Sequence, residues 1–415
     1  MLLRARIVLP VSQPPIEDGA VLISANRIVA VRPWGEFSAD ERRDVTDLGE
    51  VILLPGLVNA HSHLDYTGMA GKISPQRTFT DWIQAIVSLK GSWTNQDFAD
   101  SWRAGADMLL RNGTTTTGDV ETIPELLPAV WQSTPLRVIS FRELISLKGG
   151  QHADELVRRT VGECAALPDS SGRVGLSPHA PYTTTGELLQ LAAHEARKRK
   201  WRLVTHVAES EDEFDMFVYK HGPLYEWLRH QRDMSDCGLG SPIHHLERND
   251  FLGDNVLAVH VNYLWRDDAA VLERYKVSVV HCPRSHEYFK HLLFPRAELA
   301  AAGINICLGT DSLASVLKTL GKLPEMNLFE EMRTFSRKYS DVLPVSIIKM
   351  VTVNGALALG KQGQAGELTE NTLADLIALP YSGPLGKAYE AVIQHQGSVA
   401  ASMIDGNWAI EPPSA

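Results

Sequence analysis

The sequence has few cysteines, no long apolar run and no excess of positive charge. Cys164, Cys237, Cys282 and Cys307 are its four cysteines, scattered over 415 residues. None falls in a C-x-x-C pair, which argues against a disulfide scaffold or a cysteine-rich zinc module and favours a reducing compartment. No run of 18 or more apolar residues occurs, so no transmembrane helix is expected. The opening MLLRARIVLP has no apolar stretch followed by a small-residue cleavage site, and the expected location is the cytoplasm. With 40 Lys and Arg against 50 Asp and Glu, the formal charge is −10. That balance offers no footprint for nucleic acid or an anionic membrane, and a small-molecule partner is expected, in a chain that could self-associate. The 44% hydrophobic and 22% charged composition is ordinary globular usage and excludes disorder, collagen and coiled coil.

The ends and the middle of the chain differ in rhythm. Ala20–Ile23 and Arg27–Val31 are short apolar pieces that read as a hairpin. Leu376–Leu379, Ala391–Gln394 and Ser398–Ile404 are similar short β-type runs. Between them eight apolar β-rich runs alternate with helical stretches: Val51–Val58, Thr114–Val120, Leu136–Phe141, Arg173–Leu176, Arg202–Thr205, Val256–Val261, Val277–Val280 and Asn305–Leu308. Phe98–Arg111, Gly186–Lys200, Ala269–Tyr275 and Glu298–Ala302 place apolar residues at helical spacing. This pattern predicts an α/β fold, a (β/α)8 TIM barrel over residues 56–359. Residues 1–55 and 360–415 are expected to meet in one small β-sandwich domain, with Val45–Pro55 and Gly360–Ala374 as the crossings.

Barrel enzymes carry their chemistry at the C-terminal ends of the strands. Those ends hold His61 and His63, His179, His206, His260, His281 and Asp311, so six of the 15 histidines share one face. In extended backbone residues i and i+2 point the same way, which lets His61 and His63 reach one cation. The plain alternative is two polar residues in a loop; His206 and Asp311 at neighbouring strand ends weigh against it. Three imidazoles and a carboxylate suit one divalent ion, zinc first, with iron or manganese also compatible. Asp311 has an alternative as a helix N-cap. As a ligand it would also take a proton. Glu209, three residues after His206, is expected to act as general acid and base rather than as ligand. Its alternative is one more surface acid in the run Glu209, Glu211, Asp212, Glu213. His260 would polarise the reacting centre, or else be a buried structural histidine. His179 and His281 would contact substrate or orient a ligand. Cys282 is set aside as nucleophile, because metal-activated water already supplies one. Trp82 and Tyr66 lie in a long loop, Leu64–Gly91, where they would stack on a flat substrate or pack under the loop.

The segment Leu54-Pro55-Gly56-Leu57-Val58-Asn59-Ala60-His61-Ser62-His63 resembles the opening motif of the amidohydrolase superfamily. Ser177-Pro178-His179-Ala180-Pro181-Tyr182, His206-Val207-Ala208-Glu209-Ser210, His281-Cys282-Pro283-Arg284-Ser285 and Leu308-Gly309-Thr310-Asp311-Ser312 resemble its aminohydrolase branch. That branch includes S-adenosylhomocysteine/methylthioadenosine deaminases, guanine deaminase, aminofutalosine deaminase and triazine hydrolases. The resemblance runs from about Val51 to Gly360. It implies that His61, His63, His206 and Asp311 bind one metal, that Glu209 transfers protons and that His260 polarises. It implies substrate contact by His179 and a sugar-holding role for Arg142. No lysine ends strand four, which implies a mononuclear site. His286 stands where many relatives carry asparagine, leaving the exact substrate open. The expected activity is hydrolytic deamination of an amino-substituted nitrogen heterocycle, most simply a purine nucleoside. The alternatives are a triazine or cyclic-amide hydrolase and a barrel that binds ligand without turnover.

Overall fold

A computed structural model describes residues 1–147, 151–167, 172–318, 321 and 323–413. Eight parallel strands form the central sheet in chain order: Leu57–Ser62, Thr114–Glu121, Arg137–Leu144, Val174–Pro178, Leu203–Val207, Val256–His260, Ser278–His281 and Ile306–Leu308. The first and eighth strands meet where the amides of Thr310 and Asp311 donate to the His61 carbonyl, at 3.0 and 3.2 Å. The sheet is thereby a barrel of the (β/α)8 type. Its interior is filled by Val58, Ala60, Val120, Ile139, Phe141, Val204, Leu257, Val259, Val280 and Cys307, and Ala356, Ala358 and Leu359 pack against them. These positions recur every second residue along each strand, as buried strands require.

Both chain ends join a second, mixed sheet of eight strands. Leu2–Val8 lies beside Ile16–Ser24, and Val51–Pro55 pairs antiparallel with Leu376–Pro380. The apolar run Val51–Val58 is therefore two strands in two sheets. The break is at Gly56, where any side chain would start 2.1 Å from the Thr115 hydroxyl. Ala391–Gln394 is helical rather than β: helix Ala388–Gln394 buries Ala388, Val392 and Ile393 in the large core under the barrel's outer helices. Among the described residues no helix is long and apolar enough to cross a membrane.

The segment expected as a long loop is mostly ordered into helix. Leu64–Met69 forms a short 3-10 turn and Phe79–Lys90 an α-helix. Thr78 caps that helix by accepting from the Asp81 amide at 3.0 Å. Phe79, Ile83 and Ile86 line up at helical spacing and bury one face.

Candidate active site

The first strand would turn the wrong way if it alternated strictly. Val58 and Ala60 point into the barrel, so His61 should point out. The pairing register with the second strand slips between Asn59 and Ser62, and that bulge re-aims the following side chains. His260 is turned by a different device. Leu257 and Val259 fill the barrel, and positive φ values at His260 (78°) and Val261 (47°) swing the imidazole into the mouth. Asp311 also holds a positive φ, 53°, and Ala208 one of 50° just before Glu209. Four strained non-glycine residues around one cavity fit a site whose geometry is held by its surroundings.

The Nε2 atoms of His61 and His206 are 3.2 Å apart, and those of His63 and His206 3.3 Å. The Asp311 carboxylate stands 3.7 Å from His61 Nε2 and 3.8 Å from His63 Nε2. His206 Nδ1 donates to the His179 carbonyl at 2.9 Å, which leaves Nε2 as a bare lone pair. Two donors each about 2.1 Å from a tetrahedral ion lie roughly 3.4 Å apart. The three imidazoles thus converge at the spacing a single cation asks for. Burial, with the adjoining imidazoles, holds His63 well below the usual histidine range and His206 at about 4, so both are neutral at pH 7, the form in which an imidazole can ligate. Burial pushes the Asp311 carboxyl up, but the His61 hydrogen bond and the surrounding imidazoles more than offset this and keep it ionised.

Glu209 faces the cluster from the other side, with Oε1 3.4 Å from His260 Nε2. Glu209, His260 and Asp311 have ligating atoms within 4.8 Å of one another. Burial, then the charges of Asp311 and Glu213, push the Glu209 carboxyl well up. Its backbone is pinned twice: the amide donates to Glu213 Oε2 at 2.9 Å, and the carbonyl accepts from Asn262 Nδ2 at 2.9 Å. Asn262 in turn meets His286 Nδ1 at 3.0 Å. Behind His63, the buried Asp119 accepts from the Leu64 amide (2.8 Å) and Trp102 Nε1 (2.9 Å), fixing the exit of the first strand. Sequence reasoning found neither Glu213 nor Asp119, because one lies in the first turn of a helix and the other inside a strand.

These groups floor a cavity of about 310 Å³. Phe79, Trp82, Ile83 and Ile86 of the capping helix line it, and Tyr182, Trp227 and Leu228, packed with Phe79 and Ile83 in one cluster, extend that apolar lining. His63, His179, His206, Glu209, His260 and Asp311 line it as expected, and Trp82 does too. Two expected contacts lie elsewhere. Arg142 points outward between strand and helix, where it meets Glu163 at 3.3 Å. Phe141 points into the barrel, so its neighbour Arg142 must point out, and Glu143 lines the cavity in its place. His281 is likewise turned behind its strand, flanked by the inward Val280 and Cys282, and stacks on Phe294 with ring centres 4.0 Å apart. Cys282 is buried, and burial raises its thiol well above the ordinary range, so it offers no thiolate.

The chain resembles proteins of known name along most of its length. It is 28% identical over 387 residues to a 5-methylthioadenosine/S-adenosylhomocysteine deaminase of Syntrophobacter fumaroxidans, covering 89% of this chain and 81% of that one. The aminofutalosine deaminase of Helicobacter pylori, crystallised with methylthio-coformycin, superposes with a TM-score of 0.85 at 19% identity, over 98% of this chain and 99% of that one. A zinc-bound adenosine deaminase of Xanthomonas campestris gives 0.81 at 24% identity, over 98% and 92%. At those identities the two structures speak to the fold. The family model described as Amidohydrolase family matches residues 52–409, from the terminal sheet through every strand end that carries a donor. With that span matched, the chain belongs to the amidohydrolase family.

Proposed function

We propose that the protein is a zinc-dependent aminohydrolase that replaces the exocyclic amino group of an adenosine-type nucleoside by a carbonyl and releases ammonia. The observation that carries this reading is the Glu209–His260 pair, 3.4 Å apart, set beside the three converging imidazoles on the floor of a largely apolar cavity. His61, His63, His206 and Asp311 would hold one divalent ion. When bound, such an ion supplies Lewis acidity and brings water toward ionisation near neutral pH.

The chain's own groups account for the proton traffic. Water adds to the amino-bearing ring carbon, the C–N bond breaks, and oxygen stays on carbon as the carbonyl. Glu209 takes a proton from the incoming water and hands it to the ring nitrogen, then takes the proton of the added hydroxyl and passes it to the departing amine, which leaves as ammonia. A buried carboxyl with raised proton affinity suits a group that must both take and return a proton at neutral pH. His260 Nε2 is buried and without another hydrogen-bond partner among the described residues, which leaves it to donate to the oxygen that adds. The wall of Phe79, Trp82, Ile83 and Ile86 supports an adenosine whose 5′ substituent is small or apolar, in line with the methylthioadenosine in the name of the Syntrophobacter relative, though not with the S-adenosylhomocysteine beside it. Glu143, at the end of its strand, is positioned to accept from sugar hydroxyls.

Ammonia release from zinc-loaded protein tests the reading. Methylthioadenosine and adenosine should be turned over faster than free adenine or adenosine 5′-phosphate. Turnover of an aminotriazine or chlorotriazine, with no ammonia from any adenine nucleoside, would overturn it.

A further inference from the structure

A second cavity, of about 680 Å³, opens at the opposite end of the barrel, around the N-terminal ends of the strands. Arg197, Arg199, Lys200, Arg202 and Lys361 line it, with Asp254 as the one carboxylate among the described lining residues. Such a concentration of cations is out of keeping with a chain of net charge −10. Arg197 and Arg199 are paired with Asp250 and Glu195. The other three cations have no ion pair among the described residues. Arg202 donates only to carbonyl oxygens, of Asp254 at 2.5 Å and Leu357 at 3.3 Å. Its guanidinium lies over Gly360, where an added side chain would start 2.7 Å from Arg202 Nε. Lys361 follows directly, within the reach of Arg137 and Arg173, which enter the third and fourth strands. Burial and those two arginines push the Lys361 ammonium down. Lys200 occupies a left-handed helix cap (φ 58°), a position that favours glycine, and places its side chain at the same cavity.

Gathering like charges in a half-buried recess is unfavourable unless a counter-charge joins them. The volume falls in the range of small-molecule sites. Guanidinium and ammonium groups together recognise phosphate oxygens by charge-assisted hydrogen bonds. The half-buried Trp201 and the apolar Ile139, Val174 and Leu359 supply a wall for the rest of such a molecule. We propose that this cavity binds a phosphorylated small molecule, held chiefly by Arg202, Lys361 and Lys200, at a site separate from the deaminating one.

Calorimetric titration of the full-length, zinc-loaded protein with fructose bisphosphate, and separately with inorganic phosphate, tests this. Saturable binding of the bisphosphate is expected, tighter than that of inorganic phosphate and weakened by salt. Arg202→Gln combined with Lys361→Met should weaken it by about tenfold or more, the effect of losing charge-assisted contacts. Arg103→Gln, at an exposed side chain outside the cavity lining, should leave it unchanged. Because Lys361 has no ion-pair partner among the described residues, Lys361→Met alone should fold with an undiminished Tm yet lose most of the bisphosphate-induced rise in Tm. Absence of saturable heat, equal loss in Arg103→Gln, or a full Tm rise in Lys361→Met would each overturn the proposal.

Discussion

Replacing Glu209 by glutamine separates proton transfer from everything else this side chain does. The contacts that fix the residue run through its backbone, to Glu213 and Asn262, and none depends on a carboxylate at position 209. The new amide has the same shape and can still face His260 Nε2 across the 3.4 Å gap. The four proposed metal donors are other residues, so the ion should stay. Only the ability to take and release a proton is lost. General acid–base groups contribute on the order of 10²–10⁴ in rate. That corresponds to about 2.7–5.5 kcal/mol of barrier. Glu209→Gln should therefore lose kcat by about 10²–10⁴, with KM for the nucleoside little changed and about one zinc per chain retained. Initial rates of ammonia release, with elemental analysis of the same preparation, measure all three. Protein that comes out metal-free would make Glu209 a ligand. Undiminished kcat would move the proton to another group, with Asp311 and His260 next in line.

Four further outcomes are expected. Chelation should abolish turnover and lower Tm together, and one equivalent of zinc should restore both; a requirement for two ions per chain would sink the mononuclear site. Glu143→Ala should raise KM for a nucleoside more than for the free base, whereas Arg142→Ala should leave kcat/KM little changed, since the buried Arg142 side chain turns away from the cavity to Glu163; the reverse ranking would restore Arg142 as the sugar contact. Glu213 holds its proton more tightly folded, at about 8, than unfolded, at 4.5, because it is buried. Its contribution to stability is thus complete below about 4.5 and lost as pH rises through about 8, so thermal melts of Glu213→Gln should show a shallower fall of Tm across that window than the parent.

Much of the barrel was legible because eight buried strands leave eight apolar runs, and because strand ends are where barrel chemistry gathers. Strand ends in the sequence carry His61, His63, His206, Glu209, His260 and Asp311, and the fold brings these six together. Sequence reasoning fails where a single residue changes the direction of the chain. Val51–Val58 reads as one strand, since both sheets bury it and Gly56 interrupts the backbone without interrupting the apolarity. Strict alternation counted from Phe141 would have aimed Glu143 inward and Arg142 outward; the resemblance drew attention to the arginine instead. Alternation itself misleads at His61 and His260, where a bulge and positive φ values override it. The helix Phe79–Lys90 did carry a signal, Thr78 followed three residues later by Asp81 ahead of apolar residues at helical spacing. Asp119 and Glu213 leave no such mark, because a buried carboxyl looks in sequence like any other acid, whichever groups donate to it.

The seam that closes the barrel runs through two of the proposed ligands. His61 lends its carbonyl to the amides of Thr310 and Asp311 while its ring and the Asp311 carboxylate face each other at 3.7 Å. An ion held by both side chains, as proposed, would be a rivet across that joint. Breathing of that joint and escape of the ion become one event, so the leak rate of the ion reports how often the cylinder opens. Amide hydrogens at positions 310 and 311, slow to exchange while the rivet is in place, should be among the first to quicken when it is pulled.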